Sequence, residues 1–147
     1  MVGVMNDYTN SIYEHLKNRL PEVSGYGNYN SVKDKNGYWN HQVSQQSLRD
    51  DHEGDVGIFE LNVAPSNTYL GNFSWDGMYE IVVVCISGNI QGARSYLMRF
   101  FNNIVNDIES SKIYVNDATI LNVVNLGKNG SGKQTVALNI NISYTVK

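Results

Sequence analysis

Apolar side chains alternate strictly with small or polar ones over residues 134–146, near the C-terminus. A period of two is typical of a β-strand with one buried face, and the apolar positions are Val136, Leu138, Ile140, Ile142, Tyr144 and Val146. These thirteen residues would span roughly 43 Å as a strand, whereas typical strands hold about 3–10 residues. The segment predicts a sheet, and its length leads us to expect that part of the strand pairs outside the domain, which favours self-association.

Three earlier segments also have the composition of β-strands. They are Val56–Val63, Met78–Ile86 and the β-rich stretch Ile113–Leu126. Within the second, the run Ile81–Ile86 is apolar at every position. Such a run predicts burial on both faces, as in a central strand.

Two segments show helical spacing. Asp7–Leu20 repeats apolar residues on one stripe and is followed by Pro21. Ile90–Ser110 follows the candidate N-cap Asn89 and carries a longer apolar stripe, made of Ala93, Leu97, Phe100, Phe101, Ile104, Val105 and Ile108. We therefore predict one α+β domain over residues 1–147: a single mixed or antiparallel sheet with two helices packed on it, in the order α-β-β-α-β-β.

Residues 22–55 form a long polar stretch rich in Gly, Asn, Ser and Tyr. Long loops are uncommon in compact domains unless they have a function or are disordered, and a short strand or hairpin is possible around Gly37–Val43. Aromatic side chains here suit a protein interface, although they can also fold back onto the domain. The candidate interface residues are Tyr26, Tyr29, Tyr38 and Trp39 in the loop, and Tyr144 in the last strand.

Four carboxylates and one histidine end this loop: Asp50, Asp51, His52, Glu53 and Asp55. Such a dense group could bind a divalent metal. However, the spacing matches no calcium-binding loop, so a solvated acidic stretch is the better interpretation.

The charge pattern disfavours nucleic-acid binding. The formal net charge is −3, and the lysines and arginines are scattered singly, whereas nucleic-acid binders usually carry a basic face. The single cysteine, Cys85, lies in an apolar run, which predicts a small buried side chain. We see no signal peptide and no apolar run near the roughly 20 residues of a membrane span, so we expect a soluble protein made in the cytosol.

The segment Gly127–Lys133 fits the phosphate-binding pattern G-x-x-x-x-G-K, with Gln134 where Ser or Thr would hold magnesium. That site needs a helix after the loop, but a strand is predicted there. The glycines and Asn129 instead favour a hairpin turn. Since His15, His41 and His52 are also far apart in sequence, we expect no catalytic residue, no metal, no cofactor and no enzyme.

The element order resembles the tail-terminator family of tailed bacteriophages, whose members are also described as minor capsid or tail-completion proteins. The resembling stretches are Tyr8–Leu20, Asp55–Glu60, Tyr79–Val84 with the helix through Ala93 and Phe100-Phe101, and Leu138–Tyr144. The resemblance covers most of the chain, although the stretch 22–55 is longer than is typical of the family. It implies a structural subunit that forms a ring, usually of six copies, which caps the tail tube and joins the tail to the head.

The resemblance also implies partners and a location. The partners would be other copies of the chain, the tail tube protein and a head-completion or connector protein, within a virion neck or tail assembled in the host cytoplasm. DNA would pass through the ring without specific binding, so we expect Asp50, Asp51, Glu53 and Asp55 to face the channel and repel it. The alternatives are another head-tail connector or minor capsid protein, or a monomeric binding module with a metal or ligand in the acidic loop.

Overall fold

The computed structural model describes residues 12, 14–29, 52–65, 74–106, 113–128 and 132–146. Helix α1 is described over residues 12 and 14–17. The other elements are strands β1 (Asn28–Tyr29), β2 (Asp55–Pro65) and β3 (Ser74–Val84), a short 3-10 turn (Ile86–Gly88), helix α2 (Ile90–Val105), and strands β4 (Ile113–Lys128) and β5 (Gln134–Val146).

The strands form one five-stranded mixed sheet in the order β1-β2-β3-β5-β4. Only β1 and β2 are parallel; the other neighbours are antiparallel. The predicted α+β class with a single sheet is confirmed. The predicted element order is wrong, because β1 adds a strand between the first helix and β2. Strand β1 has only two residues, which are too few to show a period in the sequence. The possible strand at Gly37–Val43 lies outside the described residues.

Strand β5 is an inner strand and is paired along both sides. It pairs with β3 from Thr135 to Thr145 and with β4 from Gln134 to Val146. The expectation that part of this strand pairs outside the domain is therefore wrong. The eleven residues of β3 and the sixteen of β4 give this long strand partners within its own chain.

Strand β4 lies at the edge of the sheet and is interrupted by three bulges. Each bulge inserts one extra residue, so sixteen residues of β4 face thirteen residues of β5. The side chains packed on the core are spaced alternately by two and three residues: Ile113, Val115, Ala118, Ile120 and Val123. This spacing is why the sequence shows no simple strand period here. Bulges also twist an edge strand and make it a poorer template for another strand.

Helix α2 lies on the core, as predicted. Asn89 caps its start, since the Asn89 Oδ1 accepts a hydrogen bond from the Gly92 N–H at 3.1 Å. Its buried residues are Ala93, Tyr96, Leu97, Phe100 and Ile104. The helix ends at Val105, before the predicted end at Ser110, and residues 107–112 lie outside the described ones. Among the helices described, none is long and apolar enough to cross a membrane.

The main core lies between the helices and one face of the sheet. From α1, Ile12 and Leu16 pack into it, and Cys85 is buried there as predicted. The strongly apolar run is confirmed as central, because β3 lies between β2 and β5 and the residues from Ile81 to Cys85 are buried.

The opposite face of the sheet is mostly polar, and we call it the polar sheet face. A separate small apolar cluster of Phe59, Val82 and Ala137 lies at one end of it. Beyond that cluster, residues of β3, β5 and β4 lie side by side in rows: Glu80, Asn139 and Asn122; Met78, Asn141 and Thr119; Asp76, Ser143 and Asp117; and Ser74, Thr145 and Tyr114.

Candidate assembly surfaces

The acidic stretch is divided by the fold. Asp50 and Asp51 lie outside the described residues, and Glu53 is exposed. Asp55 is buried: its Oδ1 accepts a hydrogen bond from the Asn28 Nδ2 at 3.0 Å, and its Oδ2 accepts one from the His52 N–H at 3.0 Å. The expectation that Asp55 faces a channel is therefore wrong, because this carboxylate joins β1 to the start of β2.

Glycines allow the backbone to close tightly at this junction. Gly54 has a φ of +87°, and a Cβ atom on it would lie 1.7 Å from the carbonyl oxygen of Gly25. The Gly27 N–H donates to the Gly54 carbonyl at 3.0 Å, and the Gly54 N–H donates to the Val84 carbonyl at 2.8 Å. The two ends of the polar stretch are thus held together by main-chain contacts as well as by Asp55.

Replacing Asp55 with Ala is expected to lower the free energy of unfolding by about 1–3 kcal/mol. The substitution removes two charge-assisted hydrogen bonds that a buried carboxylate accepts, one from the Asn28 side chain and one from the His52 N–H. Chemical denaturation measures the effect. Glu53→Ala is the matched control, since this neighbouring carboxylate is exposed and should change stability by less than about 0.5 kcal/mol. Equal losses in the two variants would contradict the structural role of Asp55.

Three of the predicted interface aromatics belong to the fold itself. Tyr26 is half-buried and stacks on Tyr96, with ring centroids 5.2 Å apart. Tyr29 is half-buried against the core, and the Lys17 Nζ lies 5.7 Å from the centre of its ring. Tyr144 is buried in the core. The interface expectation for Tyr144 is therefore wrong, and the alternative of folding back onto the domain describes Tyr26 and Tyr29. Tyr38 and Trp39 lie outside the described residues.

The glycine-rich segment joins β4 to β5 as a hairpin, as predicted. Gly127 and Gly132 have φ values of +81° and +75°, and residue 134 begins a strand instead of a helix. Residues 129–131 lie outside the described ones. Within the described ranges, no group of three or more His, Cys, Asp and Glu side chains is placed to hold a metal ion.

A polar network lies within the helix-covered face. The Tyr79 hydroxyl donates a hydrogen bond to the Glu60 Oε1 at 3.2 Å and is also hydrogen-bonded to Tyr144. Burial raises the pKa of the Glu60 carboxyl, and the hydrogen bond from Tyr79 partly opposes this. Burial also raises the pKa of Tyr144 to about 12 and holds the pKa of Tyr79 well above its usual value. The sequence gives no sign of this network, which depends on strand register.

The polar sheet face carries three carboxylates. Asp76 and Asp117 lie in one row on either side of Ser143, and the Asp76 carboxylate is hydrogen-bonded to the Ser143 hydroxyl. Glu80 lies on the same face, and burial raises the pKa of its carboxyl. Strands β2, β3 and β5 contain no Lys or Arg, and the one in β4, Lys128, lies at the far end opposite Gln134.

The outer surface of α2 has the opposite charge. Arg94 and Arg99 are both exposed, and the helix contains no Asp or Glu. Met98 and Val105 lie on the Arg94 side of this outer surface and are 39% and 43% exposed. We call these four residues the basic helix face.

Two bulged strand residues are large, apolar and exposed. Leu61 in β2 is 54% exposed, and Leu121 in β4 is 48% exposed. Each is the extra residue at a register shift, between Glu60 and Asn62 in β2 and between Ile120 and Asn122 in β4. Sequence reasoning missed both residues, although in β4 the alternation of two- and three-residue spacings could have indicated the bulge at Leu121.

A scan against models of known protein families gives no match for this chain, and a search of curated proteins gives none either.

Proposed function

We propose that this chain is a structural subunit that assembles into a ring in the neck or tail of a tailed bacteriophage, as a tail terminator does. The ring would cap the tail tube and join the tail to the head. The α+β fold, with two helices and a single sheet, agrees with what the resemblance implies at the level of fold class. Three arguments from the sequence no longer support assembly, because the element order differs, β5 is paired within its own sheet and Tyr144 is buried. The proposal therefore depends on the exposed residues of the domain.

The observation that carries self-assembly is the exposure of Leu61 and Leu121. A bulge re-aims side chains and disrupts the ladder locally, and at the bulge of β2 and the middle bulge of β4 the extra residue is a leucine in contact with water. Single exposed apolar residues are ordinary. Here, however, every exposed large apolar residue among the described ones lies in β2, β4 or α2: Leu61, Met98, Val105, Tyr114 and Leu121. Contact with other copies would remove this apolar area from water.

The proposed partners are other copies of the chain, the tail tube protein and a head-completion or connector protein, in a virion assembled in the host cytoplasm. DNA would pass through the ring without specific binding. Of the described acidic residues predicted to line the channel, the exposed Glu53 keeps that proposed role and the buried Asp55 does not.

The double variant Leu61→Ser/Leu121→Ser is expected to weaken self-assembly by roughly 100-fold while leaving the subunit folded. Fully burying a leucine contributes about 1.5–3 kcal/mol. Leu61 and Leu121 are already about half-buried, so contact adds roughly half of that for each residue, or about 10- to 150-fold in the dissociation constant for the pair. Sedimentation velocity over a range of concentrations, up to millimolar, measures the change.

The control is Asn18→Ser/Ser24→Ala, which alters exposed residues outside the strands and outside α2 and should assemble like the wild type. Thermal unfolding of all three proteins separates lost assembly from lost folding. Assembly of the leucine variant at wild-type concentrations would contradict the proposed role of these residues.

A further inference from the structure

We propose that the ring forms by head-to-tail contact, in which the polar sheet face of one copy docks on the basic helix face of the next. This inference rests on the proposed function and deepens it, because it names the two surfaces that meet. Leu61 and Leu121 lie at bulges that border the polar sheet face, next to Asn62 and Asn122. The occupant of each surface is a second copy of the same chain.

The sheet side of the contact is built by strand pairing. Asp76 and Asp117 share one row with Ser143 between them, so their Cα atoms lie two strand spacings apart, roughly 10 Å. Glu80 lies four residues further along β3, two rows away, in a row with Asn139 and Asn122, which are themselves hydrogen-bonded at 2.6 Å. These carboxylates have no Lys or Arg beside them in the strands that form this face.

The helix side offers cations at a comparable spacing. Arg94 and Arg99 are five residues apart in α2, which places them about 7.5 Å apart along the helix axis and about 140° apart around it. They flank the outer surface, with Met98 between them in sequence and half-exposed. Tyr114, which is 47% exposed in the row of Ser74 and Thr145, provides apolar area on the sheet side. Both surfaces therefore combine charge of one sign with exposed apolar area, as a contact between them needs.

The positions of the two surfaces determine the symmetry of the contact. Helices α1 and α2 cover one face of the sheet, and the three carboxylates lie on the other. Copies that meet through opposite sides of the domain form a heterologous contact, which gives a ring when the rotation between neighbours closes and an open filament when it does not. Pairing through the edge of β4 would instead need a regular strand, and the three bulges disfavour it.

Charge reversal on each surface separately provides the test. Arg94→Glu/Arg99→Glu makes the helix face acidic, and Glu80→Lys/Asp117→Lys makes the sheet face basic. Each variant alone then opposes like charges, and we expect its assembly concentration to rise by roughly 10- to 100-fold. In an equimolar mixture, every contact between unlike variants joins opposite charges, so assembly should return as rings in which the two variants alternate.

The matched control is Lys17→Glu/Lys128→Glu, which changes the net charge as much as the arginine variant does but lies outside both surfaces. It should assemble like the wild type. If Glu80→Lys prevents folding, Asp117→Lys alone replaces the sheet variant, because Asp117 is exposed. Native mass spectrometry of isotope-labelled and unlabelled variants reads the composition of each ring.

Recovery in the mixture, with an even number of alternating copies, is the expected result. Normal assembly of either reversed variant alone, or folded variants that do not recover when mixed, would overturn the head-to-tail contact. In that case a wild-type ring would leave the proposed function standing. A wild-type chain that never forms a closed oligomer would overturn both.

Discussion

Raising the pH from about 10 to 11 is expected to lower the free energy of unfolding by about 3 kcal/mol, because three buried tyrosines resist ionisation. Tyr79, Tyr96 and Tyr144 are almost fully buried, and burial raises the pKa of each phenol. The unfolded chain loses these protons near pH 10, whereas the folded chain keeps them. Unfolding therefore releases protons, and stability falls as the pH rises above the unfolded value.

Urea denaturation at a series of alkaline pH values measures this slope, and the absorption band of tyrosinate reports when the phenols ionise. Tyr144→Phe is the control: it removes one of the three phenols, so the loss of stability between pH 10 and 11 should shrink by about 1 kcal/mol. A stability that does not change across this range, or tyrosinate that forms before the chain unfolds, would show that these side chains are accessible to water.

Phe100→Ala is expected to lower the free energy of unfolding by about 3–5 kcal/mol. Phe100 is fully buried in the middle of α2, where it packs in the main core with Leu97 and Ile104. The substitution loses the transfer free energy of the ring and leaves a cavity that the rigid sheet cannot fill. Chemical denaturation measures the loss.

Val105→Ala on the same helix is the matched control, because Val105 is 43% exposed. Its stability should change by less than about 0.5 kcal/mol. A small effect of Phe100→Ala would place this side of α2 at the surface, and it would remove the distinction between the core side and the basic helix face.

Segments with one regular period could be predicted from the sequence. The bounds predicted for β5 agree with the structure, because every second residue meets the same core. The centre of β3 and the start of α2 follow from the apolar run and the Asn89 cap. In these segments the local pattern agrees with the burial in the folded protein, so the pattern predicts which side chains are buried.

The sequence could not predict features that depend on distant residues. β1 is a strand only because Asn28 and Tyr29 lie beside Asp55 and Val56. The bulges of β4 replace a two-residue period with alternate steps of two and three. The role of Asp55 could not be predicted for the same reason. In the sequence Asp55 belongs to an acidic stretch, but in the structure its carboxylate is hydrogen-bonded to Asn28, which is 27 residues away along the chain.

The surface was predictable only in part. The scattered lysines and arginines indicated no basic stripe along the chain, yet α2 brings Arg94 and Arg99 onto one surface without an acidic neighbour in the helix. In the same way, Asp76 and Asp117 are far apart in sequence and meet only through their common neighbour β5. Opposite charge on opposite sides of the domain is therefore a property of the topology.

Native mass spectrometry of the wild-type chain at rising protein concentration tests the central claim most directly. The account predicts a single closed oligomer, with six copies as the family resemblance implies, in equilibrium with the monomer. A chain that remains monomeric at every concentration, or that gives an open-ended series of sizes, would contradict a ring-forming subunit.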